Sequence, residues 1–249
     1  QLDTGVAASG PLATRLGLSG VPVAAETIAL FTILEFMRMT GARVHICRVS
    51  SAAGVNMIRQ AKAEGLPLSA DISINQLHLS DHDMGYFDAR ARLTPPLRSL
   101  RDRDALQQAL ADGTVDALVS DHTPVEPDGK AMPFASAEPG ATGLELLLSA
   151  AVKWRGHEPD QLAMALQTMT AGAAQVLRDS AADAVPTGLG RLQVGGVADV
   201  CVFDPKAEWT FDGSGLRSQS RHSPFDVRLS GMHLPARVKA TWVNGVKVH

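Results

Sequence analysis

"RVHICRVSSAAGVNMIRQAKAEGLPLSADISI", Arg43 to Ile74, decides the fold. Its opening "RVHICRV" is short and rich in β-branched residues, and Gly41 and Ser50 bound it, which reads as a buried strand. Ser51 to Glu64 then carries a helix, and Gly65 supplies the residue that ends one. "LPLSADISI" is the next strand. A strand, a helix and a strand in immediate succession imply parallel strands joined by a helical crossover. The pattern extends both ways. From Pro22 to Thr40 apolar residues (Ile28, Phe31, Ile33, Leu34, Met37) recur at helical spacing until Gly41. Asp102 to Ala111 predicts a helix ended by Asp112-Gly113, and "VDALVS" predicts a third strand.

Long loops follow the second and third strands, Asp81 to Ser99 and Asp121 to Ala141. The first contains "LTPPLRS", whose proline pair excludes a helix there. Helices are expected from Gly143 to about Lys153, and from Pro159 to about Leu177. After Pro186 the pattern changes to short β-rich pieces, "GLGRLQVGGVADVCVFDP" and "RVKATWVNGVKVH", punctuated by Gly and Asn-Gly turns. A boundary is expected near Ala184–Gly188. It divides the chain into an α/β part, residues 1–185, and a β-rich subdomain, residues 186–249.

Composition limits the function classes. With 45% hydrophobic and 20% charged residues the chain has an ordinary globular balance, enough to bury a large core. A net charge of -3, with no basic run, argues against a nucleic-acid partner. No apolar run reaches the roughly 18 residues of a membrane span. Gln1 opens a stretch without a signal peptide's basic segment. Cys47 and Cys201 stand far apart and are expected to be buried thiols rather than a disulfide, which fits a reducing cytoplasm.

In parallel α/β folds the working residues sit at the carboxyl ends of strands. Three such ends are visible: Arg48 with Ser50 and Ser51; Ile74 with Asn75 and Gln76; and Ser120, Asp121 and His122. An Asp-His pair leaving a buried strand can bind a metal or move a proton, with the imidazole orienting the carboxylate. A strand-end Asp more often caps the next turn. His45 is expected to be a partly buried strand residue, and His82, among Asp81, Asp83 and Asp88, to lie in a solvated loop. No His-x-His, phosphate loop or Gly-x-Ser-x-Gly elbow occurs.

"LTPPLRSLRDRDALQQALADGTVDALVSDHTPVEPDGKAMPFASAEPGATGLELLL" closely resembles the carboxyl-terminal part of dihydroorotases, in the cyclic-amide hydrolase branch of the amidohydrolase superfamily. "RLGLSGVPVAAETIAL", the opening stretch, "GRLQVGGVADVCVFDP" and "VKATWVNGVKV" resemble the same family in order, so the likeness covers essentially the whole chain.

The resemblance implies a (β/α)8 barrel with a small β-sandwich. It implies hydrolysis or closure of the dihydroorotate ring in pyrimidine synthesis, with carbamoyl aspartate as the open form, and zinc that activates water. Asp121, in "SDHTP", matches the family Asp at the end of the eighth strand, which is both catalytic and metal-binding. Asn75, Pro139 and Gly140 are the implied substrate-binding positions. Thr94 stands where the family often has Asn.

The departures carry equal weight. The match begins after the fifth strand, and three parallel strands cannot close an eight-stranded barrel. Their open edges lead us to expect missing barrel residues or partner chains, a homo-oligomer among them. Arg48 occupies the position of the family's sixth-strand His, and a guanidinium has no lone pair for a metal. Val125 stands where many members have a second, substrate-contacting His. Both changes resemble a non-catalytic branch that acts as a structural partner of aspartate carbamoyltransferase. Two readings therefore stand: a zinc dihydroorotase, and an inactive homologue with a scaffolding role. A hydantoin- or allantoin-type amidase is a third, against which the Pro-Pro-Leu-Arg segment argues. Either way, Arg48 and Asp121 are expected in charge-assisted contact, closer than about 6 Å.

Overall fold

The structure is a computed structural model that describes residues 4–186 and 188–249. The opening Gln1 and residue 187, inside the expected boundary, lie outside the described residues. The α/β part runs β1 (Ala7–Ala8), α1 (Pro11–Leu16), β2 (Gly20–Val21), α2 (Val23–Thr40), β3 (Val44–Ile46), α3 (Ala52–Ala63), β4 (Leu68–Ser73), α4 (Ile74–His78), α5 (Leu100–Ala111), β5 (Ala117–Val119), α6 (Pro127–Ala131), α7 (Leu147–Arg155), α8 (Pro159–Met169) and α9 (Ala171–Ala181). The β-rich part adds β6 (Val200–Asp204), β7 (Trp209–Thr210), α10 (Val227–Ser230), β8 (His233–Leu234), β9 (Arg237–Val243) and β10 (Val246–Lys247).

Strands β3, β4 and β5 form a parallel sheet in that order, with His45 beside Ser69 and Asp71 beside Ala117. Right-handed crossover through α3 and α5 puts helices on one face of this sheet. There Leu34, Met37, Ile58, Ala70, Ile72, Leu106 and Leu118 are buried in one apolar cluster. The ends of α3 follow from its sequence: the Ser51 hydroxyl accepts from the Gly54 amide, and Gly65 leaves the helix at positive φ. A second parallel pair, β1 with β2, precedes the three expected strands. Its two-residue strands are too short for a periodic signal. They meet closely because Gly5 has no side chain: a Cβ there would lie 2.5 Å from the Gly20 carbonyl carbon.

Two expectations need correction. Cys47 and Cys201 are free, but both are exposed rather than buried. The apolar run of α2 does not face one way. Leu30, Leu34 and Met37 are buried, whereas Ile28, Phe31, Phe36 and Met39 are 55%, 57%, 60% and 78% exposed. The helix is apolar nearly all round, so spacing alone could not say which stripe meets the sheet.

In the β-rich part β6, β9 and β10 form an antiparallel sheet. The β9–β10 turn uses Asn244 and Gly245, both at positive φ, as the Asn-Gly pair requires. β7 pairs with β8. Phe211, Phe225 and Leu234 are fully buried in the same cluster as Leu77 and Leu146, so this part packs directly against the α/β part.

Candidate functional site

The strand ends converge on one ion pair. Arg48 follows β3 and Asp121 follows β5, on either side of β4. Arg48 Nη1 donates to Asp121 Oδ1 at 3.2 Å and to the Thr94 carbonyl at 3.1 Å. The expected contact is therefore present. Arg48 has φ 57° and Asp121 φ 49°, left-handed values that cost a side-chain-bearing residue energy. Asp tolerates this conformation better than Arg. The Arg48 amide donates to Asp71 Oδ1 at 2.7 Å, which holds the turn. The Arg48 side chain is 42% exposed and that of Asp121 11%, so Asp121 is the more enclosed partner at this mouth of strand ends.

The zinc implied by the resemblance does not fit at this pair. Its donor set is one carboxylate oxygen, already engaged, and a guanidinium that carries its own positive charge and no lone pair. Arg48 supplies the positive charge that faces Asp121.

The other singled-out residues fall around this mouth. His122 does not orient Asp121. Its Nδ1 accepts from the Gly143 and Leu144 amides, at 3.2 and 3.4 Å, and so anchors the loop after β5. Asn75, in the first turn of α4, is 2% exposed, and its Nδ2 has no hydrogen-bond partner. Gln76 donates through Nε2 to the Pro95 and Pro96 carbonyls and fixes the Pro-Pro turn that carries Thr94. Pro139 is exposed, and Gly140 is buried against Thr123, whose carbonyl oxygen lies 2.5 Å from where a Cβ would stand. Val125 is buried at 5%. Its amide and carbonyl both bond to the Ser220 hydroxyl, and its methyl groups fill the space over Gly129 and Gly140. His82 is in the turn after α4, where Asp83 bonds back to Ser80.

Sequence reading missed the frame beneath the mouth. The Glu26 carboxylate, in the first turn of α2, accepts from the amides of Ser50 and Ser51 at 2.9 and 3.1 Å and from both hydroxyls. Arg98, 4% exposed, donates through Nε to Ser50 Oγ at 2.8 Å and through Nη1 to the Val21 carbonyl at 3.3 Å. The acidic residue in the first helical turn and the arginine of "PPLRS" were the available signals. Lys130, also buried, donates through Nζ to the carbonyls of Ala89 and Arg92. Burial, and then the neighbouring Arg92 charge, pull its ammonium down to about 8. One layer below Arg48, His45 places Nε2 at 2.9 Å from Asp71 Oδ2 and Nδ1 at 2.8 Å from Ser69 Oγ. Cys47 completes a group of possible metal donors there.

The chain is similar to known proteins in sequence and in fold. The amidohydrolase family model matches residues 24–249. A dihydroorotase-like protein of Pseudomonas aeruginosa is 40% identical over 247 residues, covering 99% of this chain and 55% of the relative. A dihydroorotase of Mycobacterium tuberculosis is 39% identical, covering 96% of this chain and 54% of the relative. The chain thus spans about half the length of the curated relatives it matches. Among solved structures, an L-hydantoinase from Arthrobacter aurescens superposes with a TM-score of 0.80 at 26% identity, covering 95% of this chain and 51% of the other. A D-hydantoinase from a Thermus species gives 0.79 at 21% identity, covering 96% and 51%, and shares the fold.

Proposed function

The chain belongs to the amidohydrolase family, and on that premise we propose that it is part of a dihydroorotase-type protein of pyrimidine biosynthesis in which catalysis has been lost. In this reading the protein acts as a structural or regulatory partner of aspartate carbamoyltransferase. The observation that carries it is the Arg48–Asp121 pair: a cation lies 3.2 Å from the carboxylate that the resemblance matches to the family's metal site. Val125 supports it, because a buried aliphatic side chain cannot hydrogen-bond a ring substrate. So does the outer face of α2. Ile28, Phe31, Phe36 and Met39 lie exposed on the side of the helix opposite the buried Leu30, Leu34 and Met37, a surface open to a further part of the protein or to a partner.

A second reading keeps hydrolysis of the dihydroorotate ring, or its closure from carbamoyl aspartate. Asp121 at its strand end favours it, as do relatives named dihydroorotase. Zinc would supply an activated water in such an enzyme. This reading requires Arg48 to leave Asp121. Asn75, Pro139 and Gly140 would then be the residues facing substrate, and the cytoplasm the place of action.

The test is metal analysis of the full-length protein together with a dihydroorotate turnover assay. No turnover, with co-purification of aspartate carbamoyltransferase, is the expected result. Turnover that depends on zinc and disappears in Asp121→Asn would overturn the non-catalytic reading.

A further inference from the structure

The sheet face below the mouth carries a donor set that the Arg48–Asp121 pair does not use. His45, Cys47 and Asp71 present Nε2, Sγ and a carboxylate oxygen within 4.8 Å of one another. His45 pairs in register with Ser69, and Asp71 lies two residues further along β4, so all three side chains share the side opposite the helices. This is the polar side of the sheet, whereas Ala70 and Ile72 on the other side are wholly buried.

Two of the three donors are already oriented from behind. His45 Nδ1 is held by Ser69 Oγ at 2.8 Å, which leaves Nε2 facing the group. Asp71 Oδ1 is held by the Arg48 amide at 2.7 Å, which leaves Oδ2 facing it. Metal-binding imidazoles and carboxylates are fixed in this way, by a hydrogen bond to the atom that does not ligate. The His45 and Asp71 side chains are 21% and 7% exposed, while Cys47 is exposed. The group is therefore built on its strand side, and a fourth ligand would come from outside these three residues.

We propose that His45, Cys47 and Asp71 form a binding site for one zinc-class divalent cation. One imidazole, one thiolate and one carboxylate suit a borderline-soft tetrahedral ion, and they do not suit calcium or magnesium, which take oxygen donors. The cation enters between Nε2 and Oδ2, now 2.9 Å apart, and the Cys47 side chain rotates in to complete the set. The imidazole binds in its neutral form, its remaining proton on Nδ1 donated to Ser69 Oγ. The Cys47 thiol gives one proton to solvent as the metal–sulfur bond forms, so each ion bound releases one proton.

The experiment is titration of the full-length protein with Co2+, followed by near-ultraviolet absorption. One equivalent with a sulfur-to-cobalt charge-transfer band is expected, competed away by Zn2+. The band disappears in Cys47→Ser and persists in Asp121→Asn. Ser69→Ala weakens binding about 10–100-fold, the usual effect of removing an orienting partner. Should Cys47→Ser fail to fold by circular dichroism, alkylation of Cys47 in the unaltered protein serves instead, and Zn2+ is expected to slow it at least about tenfold. Absence of a thiolate band, loss of the band in Asp121→Asn, or alkylation indifferent to Zn2+ would each overturn the proposal.

Discussion

Two arginines serve the end of β3 in opposite ways. Arg98 is 4% exposed, and it bonds to the Ser50 hydroxyl and the Val21 carbonyl within a buried net completed by Glu26. Arg48 lies two residues from Ser50, is partly exposed, and meets Asp121 and one carbonyl at the mouth. The first arginine ties β2, the β3 turn and the Pro-Pro loop into one frame. The second occupies a position that the frame merely presents. A scaffold of this kind tolerates exchange of the mouth residue, because little of the fold depends on it. This explains how the family's architecture persists here with an arginine at a strand end.

The contrast predicts a graded series of effects. Glu26→Ala should be the most damaging, because it leaves the buried amides of Ser50 and Ser51 without an acceptor. A loss on the order of 2–6 kcal/mol is expected, at about 1–3 kcal/mol for each of the two orphaned amides, read by denaturant unfolding. A loss under 1 kcal/mol would break the distinction between frame and mouth.

His78 should come next. Its Nε2 donates to the Ala150 carbonyl at 2.9 Å, and burial pulls the ring down to about 4. The unfolded imidazole, near 6.5, takes up its proton first on acidification, so stability falls as pH drops from 6.5 towards 4. The expected contribution is on the order of 2 kcal/mol, and His78→Gln should flatten that part of the pH–melting curve.

Lys130 has the opposite window. Its folded value of about 8 lies below the ordinary 10.5, so the unfolded state holds the proton longer. Stability should therefore rise between pH 8 and 10.5, by on the order of 2 kcal/mol, and Lys130→Met should lose that slope.

Arg48→Ala should have the smallest effect on stability. Partly exposed ion pairs contribute up to about 1 kcal/mol, so a melting temperature close to that of the unaltered protein is expected.

Much of the α/β part was legible because its punctuation is local. Gly41, Gly65 and Asp112-Gly113 end helices where they should, and the apolar strands stand between them. β1 and β2 were illegible, since two residues carry no period and their pairing depends on the close approach of Gly5 and Gly20. The contact between Arg48 and Asp121 could be anticipated because both leave strand ends on one side of a parallel sheet. The roles of Glu26 and Arg98 could not, because their partners lie 24 and 48 residues away and no periodicity marks such a net. His122 misled for a related reason: an Asp-His pair in sequence does not fix where the imidazole turns, and here two amides of the following loop claim it.

The central claim is that Arg48 stands in place of a metal beside Asp121. The direct measurement is the zinc content of the full-length protein in a Cys47→Ser background, which removes the proposed His45–Cys47–Asp71 site, with and without Arg48→His. With arginine at position 48 no zinc should be retained. With histidine there, zinc should appear, and Asp121→Asn should remove it again. Stoichiometric zinc that depends on Asp121 while Arg48 is intact would contradict the account.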